Sequence, residues 1–251
     1  KAISPPFLGS KVISSHDISI PDIVKFLDKN ALFIGQWQMK KAKGQSASEF
    51  SSFLTTHAEP ILTHWLERIQ ADLLLEPSLV YGYFPCGRVG NQVHVFNNKK
   101  TKLIGKFYFP RQKSTNHYCI ADYFMDLDSG LPIDMIPMQA VTMGGKASTF
   151  ANQLFADNLY TDYLYFHGLA VQLAEALAEW CHAHIRKQCG FTLSEPSHLR
   201  DYLAQRYRGC RFSFGYPACP NVSDSRKQLE WLGAERIGLS IDDSDQLHPE
   251  Q

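Results

Sequence analysis

Five segments rich in aromatic and β-branched residues lie between Leu79 and Val141: LVYGYF (79–84), QVHVF (92–96), KLIGKFYF (102–109), HYCIADYF (117–124) and DMIPMQAV (134–141). This composition, interrupted by polar turns, is typical of β-strands. Most of the connections are short, which favours antiparallel neighbours. The stretch therefore predicts one sheet, ending at Gly144 and Gly145.

Helical patterns precede and follow the predicted strands in the sequence. The spacing from Ser46 to Glu49 predicts a capping box that opens a long amphipathic helix, and Pro60 predicts a break or kink within it. Four further helices are predicted: Asp22–Leu27 after Pro21, Thr161–Gln188 ending before Gly190, Ser197–Tyr207, and Asp224–Leu232. We therefore predict one α+β domain over residues 1–251, with a twisted, largely antiparallel sheet and long helices packed around it.

The composition excludes several classes of protein. With 44% hydrophobic residues the chain can bury a core, and its 25 basic residues balance 25 acidic ones. A zero net charge argues against a general binder of nucleic acid or of anionic membranes. No apolar run approaches the roughly 20 residues that a membrane span requires. Six cysteines at irregular spacing, without a CxxC pair, indicate reduced thiols in a cytoplasmic protein.

The segment Arg208–Pro220, RGCRFSFGYPACP, is the densest candidate for a binding site. It combines the planar guanidinium of Arg211 with flexible glycines, Tyr216 and two prolines. Such a loop can offer a fork of donors to a carboxylate and backbone hydrogen bonds to the edge of a base. On chemistry alone, a buried loop in which Arg211 forms a structural ion pair explains it equally simply.

The pattern RxxxGYPACP (211–220) resembles the signature of the S-adenosylmethionine-binding reactivation domain of cobalamin-dependent methionine synthases. Leu27-Asp28, with Phe33 and Trp37 downstream, resembles the early aspartate of that family and its aromatic pair. Five more segments agree in the family's order: PPFLG (5–9), VYGYFPCGRVGNQVHVF (80–96), YCIADYF (118–124), QAVTMGG (139–145) and LAEALAEWCHAHIR (173–186). The resemblance thus covers nearly the whole chain.

The resemblance implies a site for S-adenosylmethionine on a domain without the Rossmann fold, and the chain contains no GxGxxG motif after a strand. By the resemblance, Asp28 pairs with the ligand's ammonium and Arg211 with its carboxylate. The backbone around Ser213 reads the adenine edge, and Tyr216 packs beside the ligand. The implied ligand-binding residues are Asp28, Glu175, Arg211, Ser213, Gly215, Tyr216, Pro217 and Ala218. A surface carboxylate at a helix end would also account for Asp28, and a solvated helical face for Glu175.

The resemblance also implies the reaction and its partners. Cobalamin carried by a neighbouring domain of the same polypeptide is reduced by flavodoxin or a flavoprotein reductase and then takes the methyl group of S-adenosylmethionine. The step needs positioning rather than a general acid or base, so no catalytic residue is predicted. No metal ligand is predicted in this chain either, because zinc belongs to another module of the family's full enzyme. Neither nucleic acid nor a membrane is expected as a partner.

The chain departs from the family pattern in two places. After Asp28 the family often has a proline and two adjacent aromatic residues, whereas this chain reads KNALFIGQW (29–37), with one extra residue. Asp28 is therefore placed only to within about one helical turn. The family domain also continues past the equivalent of Gln251 into a strand with further ligand contacts. We accordingly expect the C-terminus to be truncated, which would leave a sheet edge unpaired.

Three other functions compete with this interpretation. A zinc enzyme is disfavoured because His182 and His184, two residues apart on a helix, do not face the same side. A thiol nucleophile at Cys219 has Arg211 nearby, but no partner can be chosen among ten histidines. A non-catalytic module of the same fold, which senses S-adenosylmethionine or binds a partner, remains the alternative function.

Overall fold

The chain folds into two compact units, each built from segments far apart in the sequence. The structure is a computed structural model that describes residues 4–191, 196, 198–207 and 209–249. We call residues 1–12, 79–140 and 181–247 the sheet unit, and residues 13–78, 141–180 and 248–251 the helical unit. The domain bounds of 1–251 stay a prediction.

The sheet unit is organised around one long strand. The five strands of its sheet are β1 (Gly9–Ile13), β2 (Ser78–Val89), β3 (Gln92–Phe96), β4 (Leu103–Tyr108) and β5 (Asp134–Thr142). They follow the order β1-β2-β3-β4, and β5 also pairs with β2. The β2–β3 and β3–β4 pairs are antiparallel, with Cys86 opposite Val95 and Val93 opposite Phe107. Four of the five segments predicted as strands are confirmed.

The segment HYCIADYF (117–124) was wrongly predicted as a strand. It contains a 3₁₀-helix at Ile120–Tyr123, and the buried residues Cys119, Ile120 and Ala121 are consecutive. In a strand with one face in the core, buried and exposed residues would alternate. Arg111 instead holds Asp122 through two hydrogen bonds, at 2.6 and 2.8 Å, and so fixes the chain in a turn. Aromatic composition without alternation was insufficient evidence for a strand.

The helices occupy both units. They are α1 (Ile20–Val24), α2 (Ala47–Phe53), α3 (Glu59–Ala71), α4 (Gly145–Ala156), α5 (Tyr160–Gln188), α6 (Leu199–Leu203) and α7 (Asp224–Leu232). Two π-helical segments, Ala31–Gln36 and Leu54–Ala58, lie in the helical unit. A short hairpin, β6 (Ser240–Ile241) with β7 (Leu247–His248), follows α7.

Most of the predicted helix ends agree with the structure. Ser46 and Glu49 form the capping box, and the π-helical segment Leu54–Ala58 interrupts the helix just before Pro60. Gly190, at φ +80°, ends α5, and the Phe191 amide donates to the Arg186 carbonyl at 3.1 Å. That bond satisfies a terminal carbonyl in the manner of a Schellman cap. Two predicted helices differ in their bounds: the one predicted at Asp22–Leu27 is Ile20–Val24, and the one predicted at Ser197–Tyr207 ends at Leu203, while Ser197 lies outside the described residues. Helix α4 and the β6–β7 hairpin were not predicted.

A ring cluster forms the core of the helical unit. Trp65 on α3 packs against Phe166 on α5 with ring centroids 5.6 Å apart, and Phe150 on α4 lies 4.8 Å from Phe166. Trp37 stacks on Phe33 at 5.2 Å, and its indole N–H donates to the Tyr165 carbonyl at 3.0 Å. A buried indole needs such an acceptor. These contacts fix the segment that follows Asp28.

The α+β class is confirmed by the antiparallel sheet and the helices. The antiparallel order β2-β3-β4 differs from the parallel sheet of a dinucleotide-binding fold. Among the residues described, none of the helices has both the length and the apolarity that a membrane crossing demands.

The approach of β1 to β2 requires glycine at position 82. A Cβ there would lie 2.4 Å from the Gly9 carbonyl oxygen and 2.9 Å from the Ser10 Cα, both backbone atoms of β1. We expect Gly82→Ala to lower the free energy of unfolding by about 2 kcal/mol, because the backbone has to shift. Denaturant unfolding measures the change. The matched control is Gly145→Ala, where a Cβ meets nothing within 4 Å and a helical alanine should be neutral or mildly stabilising. Equal unfolding midpoints for the two variants would refute the close approach.

Candidate functional site

The candidate binding loop, Gly209–Pro220, lies in the sheet unit between α6 and α7. Gly209 has φ +95° and Gly215 has φ +97°, in the region that side chains with a Cβ rarely adopt. These two glycines set the direction of the backbone at the start and in the middle of the loop. The positive φ of Gly215 explains why the signature carries glycine before Tyr216.

A tight turn closes the GYPAC part of the loop. The Cys219 amide donates to the Tyr216 carbonyl at 2.9 Å, and the Gly215 amide donates to the Cys219 carbonyl at 3.0 Å. Pro217 occupies the second position of this turn, where its fixed φ is favourable. Two main-chain hydrogen bonds thus close the turn.

The loop is anchored on the sheet through apolar side chains. Cys219 is 3% exposed, and the half-buried Phe214 lies with its ring 5.2 Å from Phe107 of β4. Phe212 and Tyr216 are exposed by 46% and 66%. The loop therefore has an inner side fixed to the core and an outer side that carries aromatic rings.

The predicted loop residues lie on this turn and on the segment that leads into it. Arg211 and Ala218 are half-buried, and four residues are exposed: Ser213, Gly215, Tyr216 and Pro217. A shallow groove lies beside the loop, lined by Phe212 and Ala218 together with Tyr118 and Tyr123. The ligand-binding role of these loop residues stays a prediction.

Asp28 and Glu175 both belong to the helical unit. The Oδ1 atom of Asp28 accepts the amides of Asn30 and Ala31 at 2.9 and 3.0 Å, ahead of the π-helical segment. This bonding is typical of an aspartate that caps a helix start. Glu175 is exposed on α5. Their contacts with a ligand therefore stay predictions.

A cluster that the sequence analysis did not identify adjoins the start of the loop. The Arg186 side chain, 5% exposed, lies 4.6 Å from the ring of Tyr207 and 5.4 Å from that of Phe191. Its Nη1 atom is 3.5 Å from the place of a Cβ at Gly209. The His182 ring lies 5.4 Å from Tyr207. The only available signal was the i, i+4 spacing of His182 and Arg186 near the end of α5.

His182 is held neutral in this cluster. Burial, together with the positive charges of Arg186 and Arg211, lowers the pKa of His182 to about 4. Its Nε2 atom is buried and makes no hydrogen bond to the described residues. His182 therefore adds no third positive charge to those of Arg186 and Arg211.

Stability should consequently fall in acid. The unfolded chain binds a proton at His182 near pH 6.5, whereas the folded chain resists protonation until about pH 4. Between pH 7 and pH 5 this difference should lower the free energy of unfolding by on the order of 1–2 kcal/mol. We expect His182→Gln, which cannot titrate, to lose less stability than the wild type over that interval in urea unfolding. The same loss in both proteins would contradict the assignment.

The thiol of Cys219 is not activated. Burial raises the pKa of Cys219 and outweighs a backbone hydrogen bond at Tyr216 that lowers it, and the negative charge of Asp224 raises it further. A nucleophilic cysteine needs the opposite shift. Within the described part of the chain, no three His, Cys, Asp or Glu side chains come together as metal ligands.

Alkylation of the native protein tests the state of this thiol. With iodoacetamide at neutral pH we expect the exposed Cys210 to be modified well before Cys219, whose thiol is buried and protonated. Peptide mass spectrometry identifies the sites, and denatured protein serves as the control in which both react. Preferential labelling of Cys219 in the native state would instead indicate a reactive nucleophile.

Comparison with known proteins identifies relatives of the whole chain. Residues 19–251 match the family described as vitamin B12 dependent methionine synthase, activation domain. Methionine synthase of Mycobacterium tuberculosis is 39% identical over 260 residues, which cover 99% of this chain and 22% of that protein. The Mycobacterium leprae enzyme is also 39% identical, with 99% and 21% covered. The chain thus spans about a fifth of the length of these relatives.

The fold also matches a solved structure. The crystal structure of the MetH reactivation domain bound to AdoHcy superposes with a TM-score of 0.86 at 24% identity, covering 99% of this chain and 78% of that one. The likeness confirms the fold.

Proposed function

The chain belongs to the family of vitamin B12-dependent methionine synthase activation domains, and from this membership we propose that it binds S-adenosylmethionine and presents the methyl group to cob(I)alamin. The proposal concerns the reductive reactivation of the enzyme that makes methionine from homocysteine and methyltetrahydrofolate. The enzyme as a whole is a methyltransferase, and this chain would contribute the methyl donor's site.

The observation that carries the proposal is the closed turn of the candidate binding loop. Its backbone is fixed by hydrogen bonds before any ligand arrives, with Arg211 half-buried at one end and Tyr216 exposed at its tip. Such preorganisation lowers the entropic cost of binding. The solved MetH reactivation domain, which has the same fold, is bound to AdoHcy. AdoHcy is the product left when S-adenosylmethionine loses its methyl group.

Each part of the ligand has a candidate partner. Arg211 would hold the carboxylate through its planar fork of donors. The backbone around Ser213 would meet the adenine edge, with Gly215, Pro217 and Ala218 leaving room for close approach and Tyr216 packing alongside. Asp28 would pair with the ammonium, and Glu175 would stand near the same ligand.

The proposed reaction requires the protein to position the methyl donor and does not require it to transfer a proton. Bound S-adenosylmethionine supplies an electrophilic methyl group, and its sulfur leaves as a neutral thioether. No general acid or base is then required of the chain. Arg211 and the turn would orient the donor. Tyr118, Tyr123 and Phe212 beside it offer an aromatic surface suited to a large, mostly apolar partner.

The remaining partners follow from the same proposal. A neighbouring domain of the polypeptide would carry cobalamin, and flavodoxin or a flavoprotein reductase would supply the electron in the cytoplasm. Zinc would be bound by another module of the full enzyme. A sensing module of the same fold would bind the ligand equally well but transfer no methyl group.

Calorimetric titration with S-adenosylmethionine tests the site. We expect saturable binding that Arg211→Ala weakens roughly thirtyfold or more, because the mutation removes a charge-assisted contact. The matched control is Arg206→Ala. Arg206 forms a surface ion pair with Asp201 at 3.0 Å and is 66% exposed, so its removal should leave the affinity unchanged.

The outcomes separate the competing functions. Affinity that survives Arg211→Ala would move the carboxylate site elsewhere, and absence of binding by the wild type would overturn the proposal. Adding reduced cobalamin on its own binding domain then distinguishes enzyme from sensor. Methylation of the cobalamin supports the proposed reaction, and binding without methylation supports the sensor.

A further inference from the structure

We propose that Cys219 is a positioning residue for base recognition, and that its thiol holds the Ser213–Phe214 peptide so that the Phe214 N–H faces the N1 atom of adenine. The inference rests on the proposed function. It assigns a task to a cysteine that neither attacks a substrate nor binds a metal.

Cys219 closes the loop through every polar group that it has. Its amide donates to the Tyr216 carbonyl at 2.9 Å, and its carbonyl accepts the Gly215 amide at 3.0 Å. Its Sγ donates to the Ser213 carbonyl at 2.8 Å. The first two bonds form the turn, whereas the third reaches back across it. Among these three bonds, the thiol bond is the one that acts directly on the Ser213–Phe214 peptide.

The thiol is well placed to remain a donor. Cys219 is 3% exposed and belongs to the hydrophobic cluster that contains Phe107 and Leu232. Burial raises the pKa of Cys219, which keeps the S–H proton in place at neutral pH. Removing the thiol would therefore take away the protein partner that the Ser213 carbonyl has on the buried side of the loop.

Because a peptide is planar, fixing the Ser213 carbonyl also fixes the direction of the Phe214 N–H. In a trans peptide the C=O and the following N–H point in opposite directions. With the Ser213 carbonyl bound to Cys219, the Phe214 N–H is directed away from Cys219. It donates to no acceptor among the described residues. A backbone donor is thus available beside Ser213, on the loop proposed to meet the base.

This donor distinguishes adenine from hypoxanthine. The N1 atom of adenine accepts a hydrogen bond, whereas N1 of hypoxanthine carries a proton and would face the Phe214 N–H donor to donor. A site that hydrogen-bonds a base edge rejects the analogue that cannot complete the bond. We therefore expect the wild type to bind S-adenosylhomocysteine at least about tenfold more tightly than S-inosylhomocysteine.

The test compares this preference in three variants by calorimetry. Cys219→Ala should reduce the adenine preference severalfold towards unity, because the peptide is no longer held. Cys219→Ser should retain it, since a hydroxyl can donate to the same carbonyl. Arg211→Ala should weaken both ligands by the same factor and leave the preference unchanged, because the two ligands share the carboxylate. Thermal unfolding of each variant reports whether the fold is intact.

The inference and the proposed function fail in different ways. Wild-type protein that binds neither ligand overturns the proposed function. Wild-type protein that binds both ligands equally, or a Cys219→Ala variant that keeps the full preference, overturns the role of Cys219 alone. If Cys219→Ala does not fold, the Phe214 amide resonance in the wild type decides: it should shift on binding the adenosyl ligand and not on binding the inosyl ligand.

Discussion

The pairing of β2 with three strands is the constraint on which the sheet unit depends. This strand is hydrogen-bonded to β1, β3 and β5, and its residues from Leu79 to Gly87 are all buried. Burial on both faces explains why the segment reads as a continuous apolar run. A strand so enclosed tolerates little change in side-chain volume. The β4 strand that supports Phe214 is in turn held in place through β3.

Local patterns predicted the regular elements well. Strand β3 alternates in composition, α7 was predicted with its observed bounds, and the Ser46–Glu49 capping box formed as expected. The failures arose where tertiary contacts outweigh local preference. Asp122 turns the chain at 117–124 because Arg111 binds it, and Arg111 lies eleven residues earlier in the sequence. Helix α4 was missed because the glycines at 144 and 145 were interpreted as the end of the sheet and not as the start of a helix.

In the candidate site too, local sequence predicted some features and tertiary contacts determined the others. The signature placed Arg211, Ser213 and Tyr216 on one loop by its letters alone. No periodicity indicates that the Cys219 thiol reaches the Ser213 carbonyl, because that bond depends on how the turn folds back. The neutral state of His182 was equally hidden. It results from burial and from two guanidinium groups, of which Arg211 is 29 residues away in the chain.

In the turn formed by Gly215–Cys219, the groups that maintain the shape of the loop differ from the side chains that face outward. Main-chain bonds and one buried thiol maintain its shape, while the rings of Phe212 and Tyr216 remain exposed. The exposed positions can therefore vary without disturbing the backbone. Laboratory selection for synthetic sulfonium donors with bulkier transferable groups could randomise these outward positions freely. The two glycines and Cys219 would have to be left untouched in such a library, since they make the scaffold on which new specificities are built.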